Sequence, residues 1–327
     1  MVDHILRNWI FALIFTIVII SVLWIPDFAG YNHSSLSFWF PVLETHYDGS
    51  VFDTVGYRVV TILFSLTNAS AILILSLRYL SLGRSHKIIP LFYFLVIFSF
   101  PQVHLFFAAF PSTLLAIVGL FALFRAGEVK KPNTSLFLAS FLSGCALLLY
   151  LPSLVIVISF VAIASSLNLF SGRKILIFLG GILFTLGGFV VIRYLYCGVI
   201  PTSIGILLDD FKHITIKILL PAPATLFMIL VFNYFFLKAI IRWLHLSYGN
   251  MSYKHRVLSA VIWMSIVCGI SIFLNSGISL GFLPIFAIPS SLLLGYYYSE
   301  KRITKRMEVE FIILLLSILF NQISYYL

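Results

Sequence analysis

Charge is what this chain has least of. Only 11 of its 327 residues are acidic and 21 are basic. Charged side chains therefore make up 10% of the sequence, where a soluble domain carries about a quarter. Hydrophobic residues fill 61%, and mean hydropathy is +1.10. That combination excludes a soluble enzyme or binding module. Apolar runs recur from Trp9 to Leu327, many of them close to the roughly 20 residues an α-helix needs to cross a bilayer. A transmembrane β-barrel would show segments of about ten residues with alternating hydrophobicity instead.

Cysteine and chemical motifs are scarce too. Cys145, Cys197 and Cys268 show neither metal-ligand spacing nor obvious pairing. Cys145 and Cys268 lie inside apolar runs, where a thiol packs as a small hydrophobe. No HExxH, GxxxxGK[ST] or CxxC occurs, and no GxGxxG follows a strand. No cofactor and no metal ligand set are implied. His33, His46 and Asp48 do share a loop whose carboxylates would admit a divalent cation. The opening stretch MVDHILRNWIFALIFTIVIISVLWIP reads as a retained first span. Its apolar part, Trp9 to Pro26, exceeds the roughly 7–15 residues of a signal-peptide core.

What charge there is falls into a pattern. Lys and Arg cluster between apolar runs at Arg78/Arg84/Lys87, Arg125/Lys130/Lys131, Arg173/Lys174, Lys238/Arg242/Lys254/Arg256 and Lys301/Arg302/Lys305/Arg306. Cytoplasmic loops carry such an excess, so two spans are expected between each cluster and the next. The expected fold is all-α: a polytopic transmembrane helical bundle of about eleven spans, forming one integral-membrane domain over residues 1–327. The spans fall at roughly 8–26, 57–77, 88–102, 106–124, 134–150, 152–170, 175–195, 214–237, 257–275, 278–298 and 310–327. The N-terminus is then inside, with external loops at about 27–57 and 196–213. Seventeen of the 21 basic residues fall inside, opposed by Asp3, Glu128, Glu300, Glu308 and Glu310. The formal charge of +10 is thus a topology signal with attraction to anionic lipid, not a nucleic-acid footprint.

All remaining acids lie outside: Asp27, Glu44, Asp48 and Asp53 in the first external loop, Asp209 and Asp210 in the second. Arg58 and Arg193 flank these loops, and His46 lies within the first. Carboxylates converging with arginines at a membrane surface suit general-base chemistry or cation binding. Two plainer causes compete: loops are polar because they are wet, and acids collect outside because the basic residues stay inside. Within the spans, Asn68, His104, Asn233, Asn275 and Asn321 are the notable polar groups, and such residues commonly bond neighbouring helices. No carboxylate is expected at mid-depth, which disfavours an ion-coupled transporter.

The order of elements resembles the polyprenyl-phosphate-sugar glycosyltransferases of GT-C architecture. An acidic external loop precedes GYRVVTILFSLTNASAILILSLRYLSLG, opened by Arg58. The short spans IIPLFYFLVIFSFPQVH and FPSTLLAIVGLFALFRAGE follow, then LSGCALLLYLPSLVIVISFVAI, with Gly144, Tyr150 and Pro152 at the places of a "G…(R/Y)xP" turn. The middle section, about residues 78–196, is also similar to an uncharacterised family of Bacteroidota inner-membrane proteins. It shares their SFP…FP…LLA…LFALFR rhythm. The transferase resemblance implies sugar transfer from a polyprenyl-linked donor at the external face of a bacterial inner membrane. Asp27, Asp48 and Asp53 would be the catalytic carboxylates. Arg58 and Arg193 would hold the donor phosphate, with Glu44, His46, Asp209 and Asp210 completing the substrate site. Expected partners are membrane lipids, a polyprenyl-phosphate-linked glycan and other membrane proteins, with no nucleic acid. The alternatives are a non-catalytic subunit or scaffold of a cell-envelope complex, and a lipid or solute transporter.

Overall fold

The computed structural model describes residues 14, 38–40, 45–47, 54–80, 83–100, 108–129, 132–169, 171–197, 223–246, 253–274, 282–298 and 304–326. Among these, ten α-helices carry the fold: α1 (Thr54–Tyr79), α2 (Ile89–Ile97), α3 (Ala109–Glu128), α4 (Asn133–Leu149), α5 (Leu154–Ser166), α6 (Gly172–Cys197), α7 (Pro223–Leu246), α8 (Tyr253–Leu274), α9 (Leu283–Tyr297) and α10 (Lys305–Tyr326). Ten of the eleven expected segments are therefore helical. The first, about 8–26, lies outside the described residues apart from the helical position Ile14. One element departs from the all-α expectation. A short antiparallel hairpin pairs β1 (Phe38–Phe40) with β2 (Thr45–Tyr47) inside the first expected external loop.

Five helices are long and apolar enough to cross a membrane: α1, α3, α6, α7 and α10. The chain is a membrane protein on that ground. Of the others, α2, α4, α5 and α9 are shorter. Helix α2 has nine residues, about 14 Å at 1.5 Å per residue, under half of a roughly 30 Å hydrocarbon core. Helix α2 covers only part of the expected third span, whose last residues lie outside the described ones. Every residue of α2 except Pro90 is buried, so protein rather than lipid surrounds it. A helix walled in by protein need not reach the headgroups, because its loose backbone groups find internal partners. Its first partners are α9 and α1. Asn321 Nδ2 donates to Ser99 O at 2.7 Å and Gln322 Nε2 to Phe98 O at 2.5 Å, serving carbonyls left open where α2 stops.

Helices α2 and α9 form the buried centre. They pack closely because Gly295 leaves room for Ile89; a Cβ there would come 2.5 Å from its Cγ1. Helices α1, α3, α7 and α8 pack on α9, and α10 packs along α7. A second layer, α4 to α6, leans on α3 and α8. Small residues bring these helices together, as they do in membranes generally. Gly119 receives the Phe160 ring, Gly144 faces Thr185 and Gly181 faces Ser140. Helix α6 is the outermost: only 17% of its apolar window is buried, the least of the five long helices.

Contacts fix the helix directions. Tyr79 at the end of α1 meets Phe124 near the end of α3, with ring centroids 5.4 Å apart. Tyr253, opening α8, donates to Phe124 O. Gly127 of α3 lies near Leu167, just past α5. His86, in the 3-10 segment before α2, pairs with Ser76 of α1 at 3.2 Å. Leu136, Leu169 and Lys174 share a pocket and so join the starts of α4 and α6 to this end. Glu310 of α10 meets Lys238 of α7 and Tyr297 of α9 there as well. One end of the bundle therefore gathers Arg78, Lys87, Arg125, Arg173, Lys174, Lys238, Arg242, Arg256, Lys305 and Arg306. At the opposite end, the charged residues among those described are Arg58 and Arg193 alone.

Candidate functional site

The residues that the sequence nominates divide into two groups. Asp27, Glu44, Asp48, Asp53, Asp209 and Asp210 lie outside the described residues. His46 falls in β2, where its backbone stands opposite Trp39. Arg58 occupies the second turn of α1, and Arg193 sits one turn before the end of α6. The helix directions bring these two backbone positions to the same end of the bundle. The acidic loops attach there too, directly before α1 and directly after α6.

The turn that resembles the transferase signature is a packing device. Gly144 admits Thr185 of α6, whose hydroxyl donates to Phe141 O at 3.1 Å. Tyr150 ends α4, and its buried hydroxyl has no hydrogen-bond partner among the described residues. Pro152 lies in the 3-10 turn Leu151–Ser153 that leads into α5. Ser153 of that turn bonds Ser112 of α3 at 2.5 Å.

An open groove of about 400 Å³ runs between α7 and α8, with α9 as its floor and the end of α2 at one side. It follows α7 from Met228 to Ile240, about 18 Å of helix at 1.5 Å per residue. Phe232, Phe236 and Phe286 line it, and Asn233, Ser265 and Ser99 are its polar groups. The Gly269 position leaves space on the α8 side, where an added Cβ would meet nothing within 4 Å.

The other polar constellation was not legible as one. Glu310 is 5% exposed, not a solvated charge of the basic end as the charge tally implied. It accepts hydrogen bonds from Lys238 Nζ, from Tyr297 at 2.7 Å, from Tyr234 at 3.3 Å and from Arg306 Nε at 3.2 Å. Lys238 also lies over the Tyr234 ring, 4.4 Å from its centroid. Arg242, one turn on, donates to Tyr297 O and stacks over Tyr296. A carboxylate held by four donors is ill placed to accept a substrate's proton. It locks α7, α9 and α10 together at the basic end. The available signal was the isolation of Lys238 within FFLKAII, since a lone cation in an apolar run needs a partner.

The polar groups inside the spans behave as helix-bonding residues. Asn68 donates to Phe110 O at 3.1 Å, and Asn321 accepts from Thr225 at 2.7 Å while donating to Ser99 O. Asn233 lines the groove, and His104 and Asn275 lie outside the described residues. Cys145 and Cys268 are free thiols, the latter buried beside Ser159 at 3.9 Å. Among the described residues no group of His, Cys, Asp and Glu is arranged to hold a metal ion. Comparison with protein-family models, with curated proteins and with solved structures finds no match to this chain.

Proposed function

We propose that this chain is an inner-membrane transferase of GT-C-like organisation that moves a sugar or similar group from a polyprenyl-linked donor. The reaction takes place at the external face, the end of the bundle opposite the basic clusters. The observation that carries this reading is the placement of Arg58 and Arg193 at one end, opposite the basic clusters, where both acidic loops attach. Guanidinium groups suit a donor phosphate, because their planar fork binds it in a bidentate manner. Asp27 or Asp48 takes the proton of the acceptor hydroxyl, with Asp53 as the further catalytic carboxylate and Glu44, His46, Asp209 and Asp210 around the substrate. The apolar groove between α7 and α8 supports the reading by offering a lipid chain a lateral path.

The test is genetic and chemical together. In cells that depend on this gene for an envelope glycan, Asp27→Asn, Asp48→Asn and Arg58→Ala abolish the glycan at normal protein levels. Gly269→Leu, which fills the groove, reduces it. Full glycan in all three charge variants refutes the transferase and favours a non-catalytic envelope subunit, which gentle extraction would recover with stoichiometric partners.

A further inference from the structure

A second pocket lies at the basic end, between α4, α5 and α6, with a volume of about 240 Å³. Leu136, Ala164, Leu169 and Phe178 form its buried floor, and Lys174 is the charged residue on its wall. Val161, also on the wall, is 41% exposed, so the pocket opens sideways on the apolar surface of the bundle.

The electrostatics of its rim are unbalanced. Arg173 and Lys174 occupy the first turn of α6, which holds no acidic residue. A helix N-terminus carries a partial positive charge and unpaired amides, so two cations there repel the dipole and invite an anion. The ion pairs found among the described residues lie elsewhere, around Glu310. Before the cations stands Gly172, in front of which a Cβ would meet nothing within 4 Å. Room, two cations and the first amides of a helix thus border an apolar slot in a membrane protein.

We infer that this pocket binds one anionic phospholipid, its acyl chain entering between α5 and α6, where Val161, Ile175 and Leu179 are exposed, and its phosphate resting on Arg173, Lys174 and the first amides of α6. Basic pockets between transmembrane helices take such headgroups, and the anionic leaflet faces the end where the Lys and Arg clusters lie. The site is separate from the proposed transfer chemistry, which belongs to the other end of the bundle, and it stands whether or not that chemistry exists.

The purified full-length protein is titrated in detergent with phosphatidylglycerol and with phosphatidylcholine of identical chains, and bound lipid is counted by native mass spectrometry. One phosphatidylglycerol binds more tightly than phosphatidylcholine. Arg173→Gln/Lys174→Gln weakens phosphatidylglycerol about thirtyfold, two basic contacts' worth, and leaves phosphatidylcholine unchanged. Val161→Trp, which blocks the mouth of the pocket, weakens both lipids and keeps the proposal testable if the charge variant fails to fold. Equal affinity of the two lipids in the unaltered protein overturns the proposal. So does an equal loss from the control Lys87→Gln/Lys305→Gln, which means diffuse surface charge. Displacement of the lipid by millimolar inorganic phosphate would show an anion site without a lipid, and also overturns it.

Discussion

Glu310 and Lys238 show how much one residue pair decides in this protein. Both sit in largely apolar helices, and each would be costly alone in an apolar setting. Removing one partner strands the other, so Glu310→Ala should cost about 3 kcal/mol of stability. Replacing both, as Lys238→Met with Glu310→Leu, should return the protein to within about 1 kcal/mol of its original stability, because hydrophobic replacements of buried pairs are close to neutral. Thermal unfolding in detergent measures both; a double variant as unstable as the single one would show that the pair contributes more than mutual neutralisation. At this scale the sequence was hard to read. Lys238 and Glu310 are 72 positions apart, and nothing local announces their meeting. The acids of the two expected external loops rest on charge counting alone: their side of the membrane is inferred from where the basic residues are not, and they lie outside the described residues.

Among elements, α6 offers the sharpest contrast. Gly180 and Gly181 are neighbours, yet a Cβ at Gly180 enters open space while one at Gly181 falls on the Ser140 hydroxyl and 2.9 Å from Phe137 O. Gly180→Ala should therefore stabilise α6 by up to about 1 kcal/mol through helix propensity. Gly181→Ala should push α4 and α6 apart and cost about 2 kcal/mol, the scale of core overpacking. Unfolding midpoints of opposite sign check this; equal shifts would mean that α4 does not seat against α6 at that point. The places of the ten described helices were legible because apolar runs set off by charged residues and prolines leave little choice. Helix ends were not: α7 continues through Lys238 and Arg242 to Leu246, and α10 begins five residues before Glu310. Hydropathy falls at the charged residues, but long cationic side chains reach for partners or water without breaking a helix. The shortness of α2 was hidden for a related reason. Its residues are as apolar as any span, and only their surroundings separate a buried plug from a crossing.

For the whole molecule, the segregation of charge is the governing fact. Apart from Arg58 and Arg193, the described Lys and Arg residues share one end, and the helix directions that place them there come from packing rather than from the charge rule itself. The two lines agree, and together they predict orientation. A cysteine at Ser50 should react with a membrane-impermeant maleimide in intact cells, and one at Ser85 should react only after permeabilisation. The reverse labelling pattern would invert the protein and move the proposed chemistry to the cytoplasm.

Helix α7 is tied to α10 twice, by Lys238 with Glu310 at the basic end and by Thr225 with Asn321 near the other. Between two such fastenings the pair behaves mechanically as a single beam. Its free flank faces α8 across the groove, where no comparable polar tie appears among the described residues. Breathing of that gap therefore falls to α8 and to the α5 helix packed behind it, while the α7 wall keeps its shape.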